Sequence, residues 1–496
     1  MEMKSGSTEP ANMRLPELTM SWFSWPLSLA LLAVGLVPSA QAGDWDFGHR
    51  TAVGLTAVDR TGEGAQNGMV LQAIPQIFLT GEGGRVKADI NYRLTASAGS
   101  DGVDPKSFAH DGYARVRGEV VDDFFWLGAN ATAGLTGGSA GSGPIDAINF
   151  NTDGGRQYYT VAVNPEFRQH LNRYAEIYSL NSFSYVNSDT ENSSSNDSTG
   201  MTLNLGVRNG RYFSQFDWAL NATYNKTDYS DYSQTRTLYD ATLRRRLNAQ
   251  WAVFGRLGYE DNDVQTNVSN PNGVVWNVGG SWNPSPRTRV SAEYGSRYFG
   301  NQYSANISHT TKRTTLSAGV SRNIDNRRTS QLLDSYFFLL DGNGNPILDP
   351  NTGNPIVANI PQVEQIDEDY VNTQFRGAVT VVGKRTQVTL TGTVSNQDYE
   401  VSPINNDWYG ASLRISRQLG SGYNASLGGN VRRSEDDNNG VKSNSDTYSA
   451  NFLLSKNLSP VTTVALDLLY RDYNSSNTDQ GYTENRIGIW YRTTFL

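Results

Sequence analysis

The ten residues 487–496, Ile-Gly-Ile-Trp-Tyr-Arg-Thr-Thr-Phe-Leu, restrict the fold more than any other stretch of this 496-residue chain. Ile487, Ile489, Tyr491, Thr493 and Phe495 alternate with Arg486, Gly488, Trp490 and Arg492. A period of two describes a strand with two unlike faces. An aliphatic and aromatic face backed by an arginine-bearing one, at the C-terminus, predicts the closing strand of an outer-membrane barrel, with lipid on one side and water on the other.

The other end of the chain agrees. Trp22 to Val37 is apolar but short for a spanning helix, and Ala40-Gln41-Ala42 follows with the small-x-small pattern of a signal-peptide cleavage site. The expectation is a removed signal peptide over 1–42 and a single barrel over 43–496 in the outer membrane of a Gram-negative bacterium. An uncleaved anchor helix is the alternative. The partners this predicts are outer-membrane lipid, lipopolysaccharide and the barrel assembly machinery. A Gly followed by aromatics near the C-terminus resembles the assembly signal of such barrels, with Thr493 where an aromatic is usual.

Alternating segments recur about every 20 residues between turn-forming residues. Tyr448, Ala450, Phe452 and Leu454 oppose Ser449, Asn451, Leu453 and Ser455; Tyr239, Ala241 and Leu243 oppose Asp240, Thr242, Arg244 and Arg246. The apolar faces often begin or end in Tyr or Trp, as interfacial girdles require. The pattern predicts an all-β, large transmembrane antiparallel β-barrel of about 22 strands, with 18 and 20 as alternatives, and no separate plug domain, since strand-like pattern begins at Trp45. Tyr174 to Tyr185 alternates least well. Short turns such as Asn209-Gly210 and Gly420-Ser421 are expected at the periplasmic end. Long polar connections are expected outside, among them 134–157, 187–198, 260–272, 323–370, 435–445 and 473–481. A soluble β-sandwich or β-helix shares the alternation but not the aromatic ends or the two classes of connection.

Sixteen or more strands enclose a lumen that needs water or a plug. The two longest connections are the occluding candidates. Residues 134–157 are Gly/Ser-rich and read as flexible, whereas 323–370 carry the apolar run Tyr336, Phe337, Phe338, Leu339 and Leu340, which must be buried somewhere. Burial in the pore mouth and burial against a partner or a neighbouring loop remain open.

With no cysteine, disulfides and thiolate metal sites are excluded. The four histidines, His49, His110, His170 and His309, lie at no metal-ligand spacing and beside no nucleophile signature. No catalytic, cofactor or metal residue is therefore predicted, and the chain is read as a non-enzyme. A rim hydrolase is the weakest alternative. Asp341-Gly-Asn343-Gly-Asn345 begins like a calcium loop but sets Pro346 where Gly is required. A net charge of −8 argues against nucleic acid as a partner.

Charges on the polar faces are the candidate functional residues: Arg244, Arg246, Arg256, Arg289, Glu293, Arg297, Arg376, Arg414, Asp467, Arg471, Arg486 and Arg492. Cross-strand Arg–carboxylate ladders that brace the wall are one reading. A charged eyelet that selects anions is the other.

Leu79-Thr-Gly-Glu-Gly-Gly-Arg-Val-Lys-Ala-Asp89, Gly258-Tyr-Glu-Asp-Asn-Asp263, Trp282-Asn-Pro-Ser-Pro-Arg287 running on to Arg297-Tyr-Phe-Gly300, and Ser308-His-Thr-Thr-Lys-Arg-Thr-Thr315 resemble one family. It is the outer-membrane β-barrel family found with the exosortase (PEP-CTERM) system and its exopolysaccharide loci. The resemblance is strongest over 250–325. It implies a barrel tied to exopolysaccharide export, with exopolysaccharide or its export components as partners, and it implies no catalytic residues. The functional expectation is an outer-membrane pore for exopolysaccharide or polar solutes. The alternative is a structural barrel that displays acidic loops to surface polymer or partner proteins.

Overall fold

The structure, a computed structural model, describes residues 43–136, 145–189, 197–213, 215–230, 232–326, 368–476 and 481–495. The signal-peptide expectation for 1–42 and the apolar run Tyr336 to Leu340 lie outside them.

Strands β1 to β8 span Gly43–Gly62, Gln66–Gly83, Val86–Gly99, Phe108–Val121, Phe125–Thr136, Arg156–His170, Ala175–Asp189 and Ser198–Asn209. Strands β9 to β15 span Phe216–Tyr229, Ser233–Arg246, Trp251–Asp263, Gly273–Ser285, Thr288–Arg297, Gly300–Thr310 and Thr314–Asn326. Strands β16 to β22 span Asp369–Val382, Thr386–Tyr399, Ile404–Gly420, Tyr423–Asn438, Val441–Asn457, Thr462–Ser475 and Tyr482–Phe495. Each pairs antiparallel with its sequence neighbours, and β1 pairs with β22, so the 22-stranded sheet closes. Closure leaves no edge, and the backbone polar groups at membrane depth find partners in the next strand except where Pro75 and Pro165 interrupt the ladder.

One parity rule runs round the circuit. Even-numbered residues of β1 face inward; carried strand to strand through the register, the inward set returns to β1 through Leu469, Arg486 and Val58. The opposite set carries the exposed large apolar residues: Val53, Leu55, Leu205, Leu243, Leu257 and Ile489, with Leu257 and Ile489 each 62% exposed. Side chains this apolar and this open require lipid. Aromatics mark the edges of the belt. The Trp251 and Trp282 rings stack 5.2 Å apart near the short-turn end, and Tyr239 pairs with Tyr259 towards the other end. His49 and Phe495 stack at 4.7 Å across the β1–β22 seam. The chain is thus a transmembrane barrel of the outer-membrane type, and the outer membrane is its place.

The connections at one end are uniformly short, from two residues at 421–422 to six at 210–215. At the other end length varies. Residues 439–440 make a two-residue turn where a long loop over 435–445 was expected, because β19 and β20 run on beyond the membrane to meet there. Asn439 and Gly440 have φ of +52° and +84°, the double positive φ of a type I′ hairpin turn. The turns 63–65, 230–232 and 298–299 are short as well. The poorly alternating stretch 174–185 falls in β7, where Leu180 takes an inward position while Ser179 and Asn181 take lipid-side ones.

Strands spaced about 4.8 Å apart and tilted about 40° make a 22-strand barrel roughly 40 Å across. Side chains on the wall cannot fill such a lumen.

Candidate functional site in the barrel lumen

All the candidate charges named from sequence face the lumen, but they fall into different environments. Arg471 and Arg486 join a buried ionic cluster at the outer mouth that sequence reasoning did not assemble. Its other members are Arg60 of β1, Glu484 of β22, and Asp146 and Asp153 of the β5–β6 connection.

That connection was expected to be flexible. Its described part, 145–155, instead turns inward and packs on the inner wall of β1, β2, β21 and β22. Asp146 organises the turn: its Oδ1 accepts from the backbone N–H of Ile148 at 2.8 Å and of Asn149 at 3.2 Å, and its own N–H donates to Asn149 Oδ1 at 2.8 Å. Asn149 is fully buried and donates to Asp153 at 2.7 Å. Ile148 packs with Val58, Val70 and Val103 in an apolar cluster. Lys106, between β3 and β4, lies 3.8 Å above the Phe150 ring and donates its backbone N–H to Ala147.

The ionic contacts fasten this loop. Arg60 Nη1 sits 2.6 Å from Asp153 and 3.7 Å from Glu484, and its guanidinium stacks 3.5 Å over the Tyr482 ring. Arg486 reaches Asp146 at 2.6 Å and Glu484 at 2.8 Å, and Arg471 lies 3.8 Å from Glu484 and 4.0 Å from Asp153. Tyr482 Oη donates to Asp153 at 3.2 Å. Three arginines meet three carboxylates, so the cluster is neutral. Glu484 is completely buried, whereas the Asp146 side chain keeps 48% of its surface open to the lumen. Burial of its carboxyl acts to raise its pKa, but Arg486 and Arg471 outweigh that and hold it below the ordinary aspartate range.

A second ionic cluster stands across the mouth. Arg297 grips Glu260 with Nε at 3.1 Å and Nη2 at 2.8 Å, and the Tyr298 N–H donates to the other Glu260 oxygen at 3.1 Å. Arg236 pairs with Asp369 at 2.5 Å. Deeper, Arg256 pairs with Asp240 at 2.9 Å, Arg246 lies 3.7 Å from Asp217, and Glu293 accepts from Ser304 at 3.0 Å and Asn277 at 3.3 Å. Contacts of this kind join neighbouring strands of the wall. Asp467 faces the lumen on β21, and Arg492 faces it near the short-turn end, close to Arg50.

Arg244, Arg289, Arg376 and Arg414 are placed differently. They line a cavity of about 790 Å³ on the inner wall between β10 and β20, in the half of the barrel nearer the short turns. Its remaining polar lining is hydroxyl and amide, including Ser291, Asn306, Thr391 and Asn430, and no carboxylate is among its described lining residues. Among the described residues no group of His, Cys, Asp or Glu could hold a metal ion.

No protein-family model matches the chain, and no curated protein matches it in sequence. Solved structures match in shape. The siderophore receptor PirA of Acinetobacter baumannii is 8% identical, with 90% of this chain and 80% of that chain covered and a TM-score of 0.48. The ferric-catecholate import receptor Fiu of E. coli K12 is 11% identical, with 91% and 82% covered and a TM-score of 0.48. OprD of Pseudomonas aeruginosa is 8% identical, with 92% and 98% covered and a TM-score of 0.32.

Proposed function

We propose that this barrel is an outer-membrane pore through which polar solutes cross. The observation that carries the reading is the lumen: a wall of polar and charged side chains too short to fill a barrel roughly 40 Å across, with 145–155 folded inward against β1, β2, β21 and β22. Diffusion through water is the mechanism. The inward loop narrows the outer mouth, and segment 323–370, the expected second occluder, contributes to access. Association with exopolysaccharide export follows from the sequence resemblance and belongs to the same proposal.

Conductance of the purified protein in a planar bilayer tests it, beside a variant lacking 326–365. Steady large steps in the intact protein support an open pore. Steps that need the deletion make that segment a gate. Silence in both favours the alternative of a sealed barrel that anchors surface polymer, for which the polar strand ends around 435–445 would be the display surface.

A further inference from the structure

We propose that the lipid side of the barrel, at the short-turn end of β10 to β21, is a docking surface for anionic phospholipid, whose phosphodiester headgroups seat on Arg245, Arg417 and Lys456. The inference does not rest on the pore reading. Three observations carry it.

The first is the distribution of charge. The short-turn ends of β10 to β21 occupy residues 243–252, 282–291, 309–316, 381–388, 415–425 and 454–464. Each of these stretches holds arginine or lysine, and none holds an aspartate or a glutamate. The same end of β2 to β9 carries both signs and neutralises itself, with Arg85 on Asp122 at 2.7 Å, Arg117 on Glu166 at 2.7 Å, and Arg208 on Glu176. One half of this end is balanced and the other is cationic, in a chain that is acidic overall.

The second is direction. Arg245 lies in register with Phe216 and Val253, Arg417 with Thr386 and Ala425, and Lys456 with Tyr423 and Val464, all on the lipid-side parity. On that face Arg245 falls between Leu243 and Leu247, Arg417 between Ile415 and Leu419, and Lys456 between Leu454 and Leu458. Leu247, Leu419 and Leu458, on the turn side of the three cations, are exposed. Leu247 bonds to the Trp251 carbonyl, so Arg245 stands one lipid-side position deeper than that girdle tryptophan. A soluble acidic protein would have to enter hydrocarbon to reach these charges. Lipid phosphates already lie at this level, within reach of long side chains with apolar stems.

The third is how the cations are held. Arg245 lies 5.1 Å from the Phe216 ring centre, and Lys456 lies 4.2 Å over the Tyr423 ring and donates to the Ser421 carbonyl. Aromatic faces position a cation without neutralising it. Asp217, the acid nearest Arg245 in register, faces the lumen beside Arg246. Exposed Lys312, Arg313, Lys384 and Arg385 in the intervening turns add to the field. Guanidinium and ammonium groups both bind phosphate oxygens. A zwitterionic headgroup brings its own cation into that field, whereas an anionic one does not, so net charge decides the preference. Short turns face the periplasm in such barrels, which makes the leaflet the inner one of the outer membrane.

The test reconstitutes the full chain in phosphatidylcholine bilayers with a trace of chain-labelled phosphatidylglycerol or chain-labelled phosphatidylcholine. Spin resonance reads the fraction of each that the barrel immobilises. The intact protein should favour phosphatidylglycerol about twofold or more over the whole lipid shell, since an interfacial cation is worth about fivefold at its own site. The preference should shrink as salt is raised. R245Q/R417Q/K456Q should remove most of it, and R245K/R417K/K456R should keep it, which separates charge from misfolding. R173Q/R211Q, on the self-neutralising half, should leave it unchanged. Equal immobilisation of the two lipids by the intact protein overturns the inference. So does a preference that survives the triple glutamine variant, or one that falls as far in R173Q/R211Q. Binding of poly-glutamate without lipid preference would assign the cations to an acidic periplasmic protein and overturn it as well. Loss of the pore reading leaves this surface standing, and loss of the surface leaves the pore.

Discussion

Arg60→Gln is the sharpest perturbation of the lumen. The Arg60 side chain is 1% exposed, its partner Asp153 is 4% exposed, and the pair is 2.6 Å apart. Arg60 also donates to Thr152 Oγ1 at 3.2 Å and covers the Tyr482 ring. Removing Arg60 takes the nearest charge from Asp153 and leaves it Arg471 at 4.0 Å, so the cost falls at the lower end of the about 3–5 kcal/mol of breaking a buried pair. Loop 145–155 can avoid that cost by leaving the wall and hydrating Asp153. What opposes release is the apolar contact of Ile148, worth about 1.5–3 kcal/mol, together with the Arg486–Asp146 pair. The ionic loss is the larger effect of the substitution, so the open population should rise about a hundredfold or more. The assay exploits the absence of cysteine. Ile148→Cys, at a position 5% exposed, is labelled by a membrane-impermeant maleimide from the outside, and the rate follows the open population. Labelling should be slow with Arg60 present and faster by about that factor with Arg60→Gln. Asp153→Asn should act in the same direction. Equal, slow labelling in all three backgrounds would show that the ionic cluster does not hold the loop.

The remaining predictions concern pH, the seam and the belt. Because Arg486 and Arg471 hold Asp146 below its ordinary value in the docked loop, its ionisation favours docking above about pH 4, and that contribution is lost as pH falls through the lowered value. Bilayer steps should therefore enlarge below about pH 4, and Asp146→Asn should give the larger step at neutral pH. A Cβ on Gly54 would lie 2.3 Å from the Trp490 ring, which crosses the closing seam, so Gly54→Val should abolish the folded, heat-modifiable band on gels. Leu257→Arg on the lipid face should cost about 2–4 kcal/mol in urea titrations from lipid, whereas Ser291→Arg, facing the lumen, should cost almost nothing.

Sequence reading succeeded wherever two solvents met one strand. Ile487, Ile489 and Tyr491 are apolar because lipid demands it, and Arg486 on the other face is polar because it meets Glu484 and Asp146 inside the barrel, so period and parity were both visible. The reading weakened where that contrast vanished. Beyond the membrane, β19 and β20 have water on both faces, alternation carries no information, and Glu435 to Ser445 looked like a loop. In β7 the lipid-side Ser179 and Asn181 blurred the same signal. The loop 134–157 was an occluding candidate from its length alone, and the contacts that seat it were invisible for a different reason. Asp146 and Asp153 meet Arg486 and Arg60, which are 340 and 93 positions away, and no local period encodes such a contact. Its Gly/Ser-rich first half suggested freedom, while Asp146, Ile148 and Asn149 hold the second half to the wall.

The ionic clusters at the mouth set position and charge more than stability. Buried pairs are weak stabilisers, because desolvation offsets most of their attraction, but they punish any arrangement that leaves one member alone. The cluster of Arg60, Arg471, Arg486, Glu484, Asp146 and Asp153 therefore specifies where the loop sits more than it stabilises the barrel, and its neutrality removes it from the field along the lumen axis. The Arg297–Glu260 and Arg236–Asp369 pairs neutralise themselves in the same way. Access through this barrel should therefore follow the loop, and the charge of the mouth should follow the balance of the cluster. Arg60→Gln disturbs both, because it frees Asp153 and leaves three carboxylates to two arginines. It should enlarge the bilayer step and shift the reversal potential towards cations, whereas Ile148→Ala, which loosens the apolar contact alone, should enlarge the step and leave the reversal potential where it was. Identical behaviour of the two variants would mean that the cluster does not set the charge of the mouth.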